Sequence, residues 1–324
     1  MSSDHPSRIL LISQPRTACH LLERMLSDQP NVSYASHPFV FGRAPLMQML
    51  EKGPFERASA ADIENLKSVW EDGFRANWQP FFAQAAEQKK TAFMHFHPGF
   101  SMQPQLASAY VHDKGLIDYE PMVLEMDSPP HTNPTVIPDK EMLAPGTVPV
   151  LTIRHPALMI PSSYRALTKY ATELERAGKE SIIYACTFRW QRLIYDFYNE
   201  HGASRGIEPL IVDADDWQGE GREAFMNGLC AATGLEVKNL LYTWPKASEA
   251  EMSEIPWIVG KIKQTILGSV GVIEGLDSKY LDMEKEALKW KEEFGEDGGA
   301  MIQDLVARAM DDYQYLKERK FTRA

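Results

Sequence analysis

The order of elements between Arg8 and Leu26 constrains this chain more than any other feature. The apolar run Ile9 to Ile12 leads into the turn Gln14-Pro15-Arg16-Thr17, and Ala18 to Leu26 then carries helical periodicity. A buried strand that delivers a short turn to a helix N-terminus presents backbone N–H groups at the positive end of the helix dipole, where negative charge is stabilised. With Arg16 in that turn, the expected ligand carries phosphate or sulfate. The Gly-x-x-x-x-Gly-Lys-Ser/Thr pattern needed for a magnesium triphosphate is missing, which argues against ATP hydrolysis.

Composition narrows the partners. The 324 residues include 45 acidic and 34 basic side chains, for a net charge of −11. That balance argues against nucleic acid or an anionic membrane as the main partner and makes any anion site a local feature. Three cysteines, Cys19, Cys186 and Cys230, are odd in number and are not spaced as a metal knuckle. They indicate no disulfide framework, no metal centre and a reducing compartment. The polar start Met1 to Pro6 and the lack of a long apolar run lead us to expect a soluble, cytoplasmic protein.

Strand and helix patterns alternate along the chain. Short strands are predicted at Val32 to Tyr34, at Thr91 to His97, at Val148 to Ile153 and at Pro209 to Val212, with helical stretches such as Ala60 to Ala85 between them. Alternation of this kind implies an α/β fold: a central parallel sheet flanked by helices, with ligands beyond the carboxyl ends of the strands. The loops at Arg16, His97 and Arg154 should therefore converge, and Ser36 to Phe39 should lie near the first of them. One domain is expected over 1–324. Residues 98–147 are proline-rich and weakly periodic, as a substrate-covering lid would be, and 219–324 reads as a helical C-terminal region. The aromatic stripe from Trp190 to Tyr198 reads as core, and Asp213, Asp215 and Asp216 as a helix cap rather than a metal site. The stretch Lys279 to Glu293 reads as a solvated helix face.

Three of these stretches resemble the sulfotransferase superfamily, specifically the divergent fungal sulfotransferase-like proteins of secondary (specialised) metabolism. Pro15-Arg16-Thr17-Ala18-Cys19-His20 is similar to the loop that cradles the 5′-phosphosulfate of 3′-phosphoadenosine 5′-phosphosulfate (PAPS). Arg154-His155-Pro156, with Ser162 eight residues after the arginine, is similar to the 3′-phosphate signature. His95-Phe96-His97 is similar to the stretch that carries the catalytic histidine. The resemblance implies a P-loop-like α/β transferase with PAPS as cofactor. It assigns Arg16, Thr17, Ala18, Cys19, His20, Arg154 and Ser162 to the cofactor, and Arg16, His97, His95 and His20 to catalysis. In these roles Arg16 would stabilise the leaving phosphate, and His97, of a residue type with pKa near 6.5, would deprotonate the acceptor hydroxyl. The family's glycine and two hydroxyl residues are replaced here by Ala18, Cys19 and His20, and the glycine-rich C-terminal loop of the family is not recognisable.

The expected activity is sulfuryl transfer from PAPS to a hydroxyl of a small metabolite, with no metal required. Two alternatives stay open. One is a cofactor-independent dehydration, cyclisation or rearrangement that uses the histidines; the other is a non-catalytic small-molecule or nucleotide binder. The acceptor and the oligomeric state are not legible in the sequence.

Overall fold

A computed structural model describes residues 8–115, 119–125, 131–170, 177–255 and 257–322. The polar start Met1 to Pro6 lies outside them, as do parts of the 98–147 segment. Five strands form one parallel sheet: β1 (Arg8–Ser13), β2 (Val32–Ser36), β3 (Thr91–Phe96), β4 (Thr147–Ile153) and β5 (Leu210–Asp213), in the spatial order β2-β3-β1-β4-β5. Central β1 pairs with β3 on one side (Ile12 with Phe96) and with β4 on the other (Ile12 with Leu151). Helices cover both faces, the arrangement that the alternating pattern implies.

The period-2 alternation of β1 explains the two cores. Leu10 and Ile12 point into one apolar cluster with Trp70, Trp78, Trp190 and Tyr198, whereas Ile9 and Leu11 point into a second cluster with Leu22, Trp217 and Phe225. The helix Arg189–His201 buries Trp190, Ile194, Phe197 and Tyr198, so its aromatic stripe is core as expected. Pro149 is tolerated inside β4 because β5 pairs only from Val150 onward, which leaves one side of the proline at the sheet edge.

The described part of 98–147 is packed rather than draped. Met102, Leu124, Val136, Ile137, Met142 and Leu143 join the larger core, and a short helix covers Pro104–Val111. At the other end of the chain, the helical segment Met283–Lys317 is broken at Gly295 (φ 78°) and buries Ile302, Leu305, Val306, Ala309 and Tyr313. Within the expected solvated face, Trp290 is buried. The chain then returns to the sheet, where the Phe321 N–H donates to the Ile211 carbonyl at 2.7 Å and Lys320 meets Asp216 at 2.7 Å.

The acidic cluster after β5 serves structure, as expected. The Asp213 carboxylate caps the helix Ala214–Gln218 by accepting the Asp215 N–H at 3.2 Å, and it also accepts the Tyr313 hydroxyl at 3.0 Å. Burial, reinforced by the charge of Asp215, raises the Asp213 carboxyl to about 6. Because its folded pKa lies above the unfolded value near 3.9, this group favours the folded state at low pH, and that stability is lost as pH rises from about 4 to about 6. Asp213→Asn keeps an oxygen that accepts the Asp215 N–H of the cap, and its amide NH2 can donate to the Tyr313 hydroxyl oxygen, while the titration is removed. Urea unfolding of the variant is therefore expected to lack this fall, which amounts to about 2–3 kcal/mol in the parent; an unchanged pH profile would count against the assignment.

Candidate active site

The direction of travel across the sheet reverses at β1, and loops from both sides meet at the carboxyl ends of β1, β3 and β4. A cavity of about 330 Å³ opens there. It is lined by Arg16, Ala18, Cys19 and His20 from the first loop and helix, by His97 after β3, and by Arg154, Ser162 and Arg165 after β4. The convergence expected from sequence is realised. The remaining wall comes from residues 262–276, including Ile262, Lys263, Ile266, Ile273 and Leu276, and none of the described residues of 98–147 lines it.

The first turn reaches this position through an unusual backbone. Arg16 (φ 72°) and Ala18 (φ 58°) are both left-handed without being glycine, a conformation that costs roughly 1 kcal/mol or more per residue. The distortion turns Arg16 toward the cavity, where its Nε–H donates to Ser162 Oγ at 2.8 Å and its guanidinium donates to the Ile262 carbonyl at 2.8 Å. Arg154 donates to the Arg16 carbonyl at 3.3 Å and to the Leu276 carbonyl at 3.0 Å. Asp215 secures that wall by accepting the Ser278 N–H at 2.9 Å. Thr17 behaves differently from its neighbours. Its hydroxyl is fully buried, donates to the Gln14 carbonyl at 2.7 Å and lies 2.6 Å from Thr152 Oγ1, so it braces the turn from within.

The electrostatics of the cavity oppose those of the whole chain. Among the described residues no acidic side chain lines it, whereas Arg16, Arg154, Arg165 and Lys263 do. Arg165 is engaged by Glu293 at 2.5 Å. Arg16 and Arg154 have no carboxylate partner among the described residues, and the buried Nε of Arg154 has no hydrogen-bond acceptor. Burial, with the nearby Arg16 charge, brings Arg154 down to about 10, which leaves it charged at neutral pH. Two unneutralised guanidiniums at one cavity wall, with hydroxyl and amide donors beside them, have the chemistry to hold an anion.

Behind this wall the histidines share one network. Ser13 Oγ lies 2.7 Å from His95 Nε2 and 2.9 Å from His97 Nδ1, and His97 Nδ1 lies 2.7 Å from the Ser13 carbonyl. A carbonyl only accepts, so the hydrogen-bond pattern assigns the His97 proton to Nδ1 and leaves the Nε2 lone pair available. Burial, together with the charges of His37 and His95, holds His97 well below the ordinary histidine range, so it is neutral. His95 is fully buried and does not line the cavity; its Nδ1 faces Glu23 at 3.3 Å. Burial opposes its charging, but the adjacent Cys19 thiol and Glu23 carboxylate outweigh this and raise it to about 9. Burial likewise opposes the Cys19 thiolate, yet the charge of His20 and the contacts with His95 bring the thiol down to about 6.

Several residues escaped the sequence reading. Ser13 and Glu23 join the histidines from separate segments, and Arg165 and Lys263 join the cavity; His37 arrives with the Ser36 to Phe39 loop that was expected beside the first. The His20 and Glu23 spacing, i and i+3 on one helix, was the one local signal for Glu23.

No family model matches the chain. It is similar to two fungal relatives, each called Sulfotransferase ppzF. The protein of Metarhizium majus is 28% identical over 335 residues, covering 97% of this chain and 97% of the relative; that of Metarhizium rileyi is 28% identical over 332 residues, covering 97% and 96%. Among solved structures, a sulfotransferase from Alicyclobacillus acidocaldarius aligns with TM-score 0.37 and 11% identity over 83% of this chain and 98% of that one. The sulfotransferase domain of the Synechococcus PCC 7002 olefin synthase aligns with TM-score 0.37 and 16% identity over 91% and 96%. Among the described residues, no helix is long and apolar enough to cross a membrane.

The Arg154 guanidinium meets only carbonyls, so Arg154→Ala should leave anion-free stability within about 1 kcal/mol of the parent. Inorganic sulfate should stabilise the parent, by about 2.7 kcal/mol at one hundred times its Kd, and stabilise the variant much less. Equal sulfate stabilisation of both proteins in thermal unfolding would rule out Arg154 as an anion ligand.

Proposed function

We propose that this chain, which is similar to the two fungal sulfotransferases, transfers a sulfuryl group from PAPS to a hydroxyl of a small, largely apolar metabolite. One observation carries the reading: an acidic protein places two carboxylate-free guanidiniums, Arg16 and Arg154, in one cavity with a neutral imidazole, His97, and no acidic lining residue. The size of the cavity, about 330 Å³, lies at the lower end of the range for small-molecule sites.

The donor group is tested by the residues themselves. The orphaned Nε of Arg154 is a buried donor in want of an acceptor, as a phosphate oxygen would be. Arg154 and Ser162 would hold the 3′-phosphate, and Arg16, with the N–H groups of the left-handed turn, the 5′-phosphosulfate. When bound, PAPS supplies an activated sulfuryl group and a bisphosphate that leaves. Arg16 then places fixed positive charge where negative charge develops, in a site that needs little reorganisation. His97 takes the acceptor proton on Nε2 while its Nδ1–H stays donated to the Ser13 carbonyl, which holds the ring in one tautomer. Lining residues Leu158, Ile262, Ile266, Ile273 and Leu276 supply the apolar surface for an acceptor. Ala18, Cys19 and His20 offer fewer hydroxyl donors than the loops they resemble, so the burden of anion binding falls on Arg16, Arg154 and backbone amides.

Calorimetric titration with adenosine 3′,5′-bisphosphate tests the donor site directly. Micromolar binding is expected, weakened at least about tenfold in Arg154→Ala, the scale of one lost charge-assisted contact. His97→Ala should keep that binding while sulfuryl transfer from PAPS falls by about 10²–10⁴. No binding by the parent protein would overturn the reading and leave chemistry without a donor as the remaining use of the histidines.

A further inference from the structure

Beside the cavity that holds Arg16 and Arg154 lies a set of donors to which the steps described above give no part. His20 and Glu23 stand one turn apart on the helix Cys19–Met25, and His95 reaches them from β3. Glu23 Oε2 lies 3.2 Å from His20 Nδ1 and 3.3 Å from His95 Nδ1, and the ligating atoms of all three residues lie within 4.8 Å of one another. The Cys19 thiol and a His97 nitrogen form a second such group with His95, again within 4.8 Å of one another. His37 completes the cluster: its ring centroid is 4.6 Å from that of His95, and its buried Nδ1 has no hydrogen-bond partner.

We propose that His20, Glu23 and His95 bind one divalent transition-metal ion of the zinc class. Two imidazoles and one carboxylate are a donor set of catalytic zinc sites, and ligand bonds of about 2.0–2.1 Å place tetrahedral donors about 3.3 Å apart. Two of the three separations already have that value. His95, moreover, has the outer support that ligating histidines need. With Nδ1 toward the ion, its Nε2–H donates to Ser13 Oγ at 2.7 Å, which fixes the ring and raises the basicity of the ligating nitrogen. Access is available as well. His20 and Glu23 line a second cavity of about 510 Å³ that Arg154 does not line, while His20 also lines the cavity of Arg16 and Arg154. An ion there sits between the two, with a further coordination position open to solvent, to Cys19 or to a ligand.

The site is independent of the donor reading, and its test uses the full-length protein without PAPS. After removal of metal with a chelator, zinc titration by calorimetry and elemental analysis of the dialysed complex should give one ion per chain. Cobalt substituted for zinc should show the intense visible bands of a tetrahedral site. Glu23→Gln and His20→Ala each delete one partly exposed ligand, so folding, checked by circular dichroism, should survive. Both should weaken zinc binding more than about tenfold, while Arg154→Ala binds zinc as the parent does. Absence of zinc binding at micromolar concentration, or parental affinity in either ligand variant, would overturn the proposal.

Discussion

Central strand β1 is the constraint on which the rest depends. Because it is paired in parallel on both sides and buried on both faces, its end sets the level at which β3 and β4 also terminate. Ser13, Arg16, His97 and Arg154 come from three separate segments, yet they meet because Ile12 is in register with Phe96 and Leu151. The backbone of the first turn completes the arrangement by accepting left-handed geometry at Arg16 and Ala18. That strain is sustained by what surrounds it: the buried Thr17 hydroxyl bonded to Gln14 and Thr152, and the Arg154 bond to the Arg16 carbonyl.

Charge in this molecule is distributed against its average. The chain carries −11 overall, but its carboxylates near the site are occupied elsewhere. Asp213 caps a helix and receives Tyr313, Asp215 secures the cavity wall at Ser278, Asp216 pairs with Lys320, and Glu293 with Arg165. The guanidiniums of Arg16 and Arg154 are thereby left without counter-ions in a recess of low dielectric, where their attraction for an anion is greater than at an open surface.

The histidines show the opposite economy: one carboxylate, Glu23, serves two imidazoles, and one hydroxyl, Ser13, serves two more contacts. Burial keeps His37 down at about 3 and His97 neutral, whereas His95 is favoured in its charged form by its partners. Rings of one residue type are thus divided into different chemical states by their neighbours alone. Ser13 joins the halves of this network, touching the cavity-facing His97 through both its hydroxyl and its carbonyl and the buried His95 through its hydroxyl.

Local patterns in the sequence determined the parallel α/β fold, the order of strand, turn and helix at Arg16, the capping role of Asp213 and the core role of the Trp190 stripe. Each of these rests on interactions within a few residues or on the periodicity of one element, and such signals survive in a linear string. Arg16 and Arg154 could be picked out because each follows a recognisable strand, whereas Ser162 was picked out only through the resemblance to the sulfotransferase 3′-phosphate signature. Tertiary structure alone decided which surfaces close the site. The wall at 262–276, the inward turn of Thr17, the core role of the described part of 98–147 and the grouping of His20, Glu23, His37 and His95 all depend on contacts between distant segments. No local spacing encodes them, because sheet register and the return of the C-terminal helix set those distances.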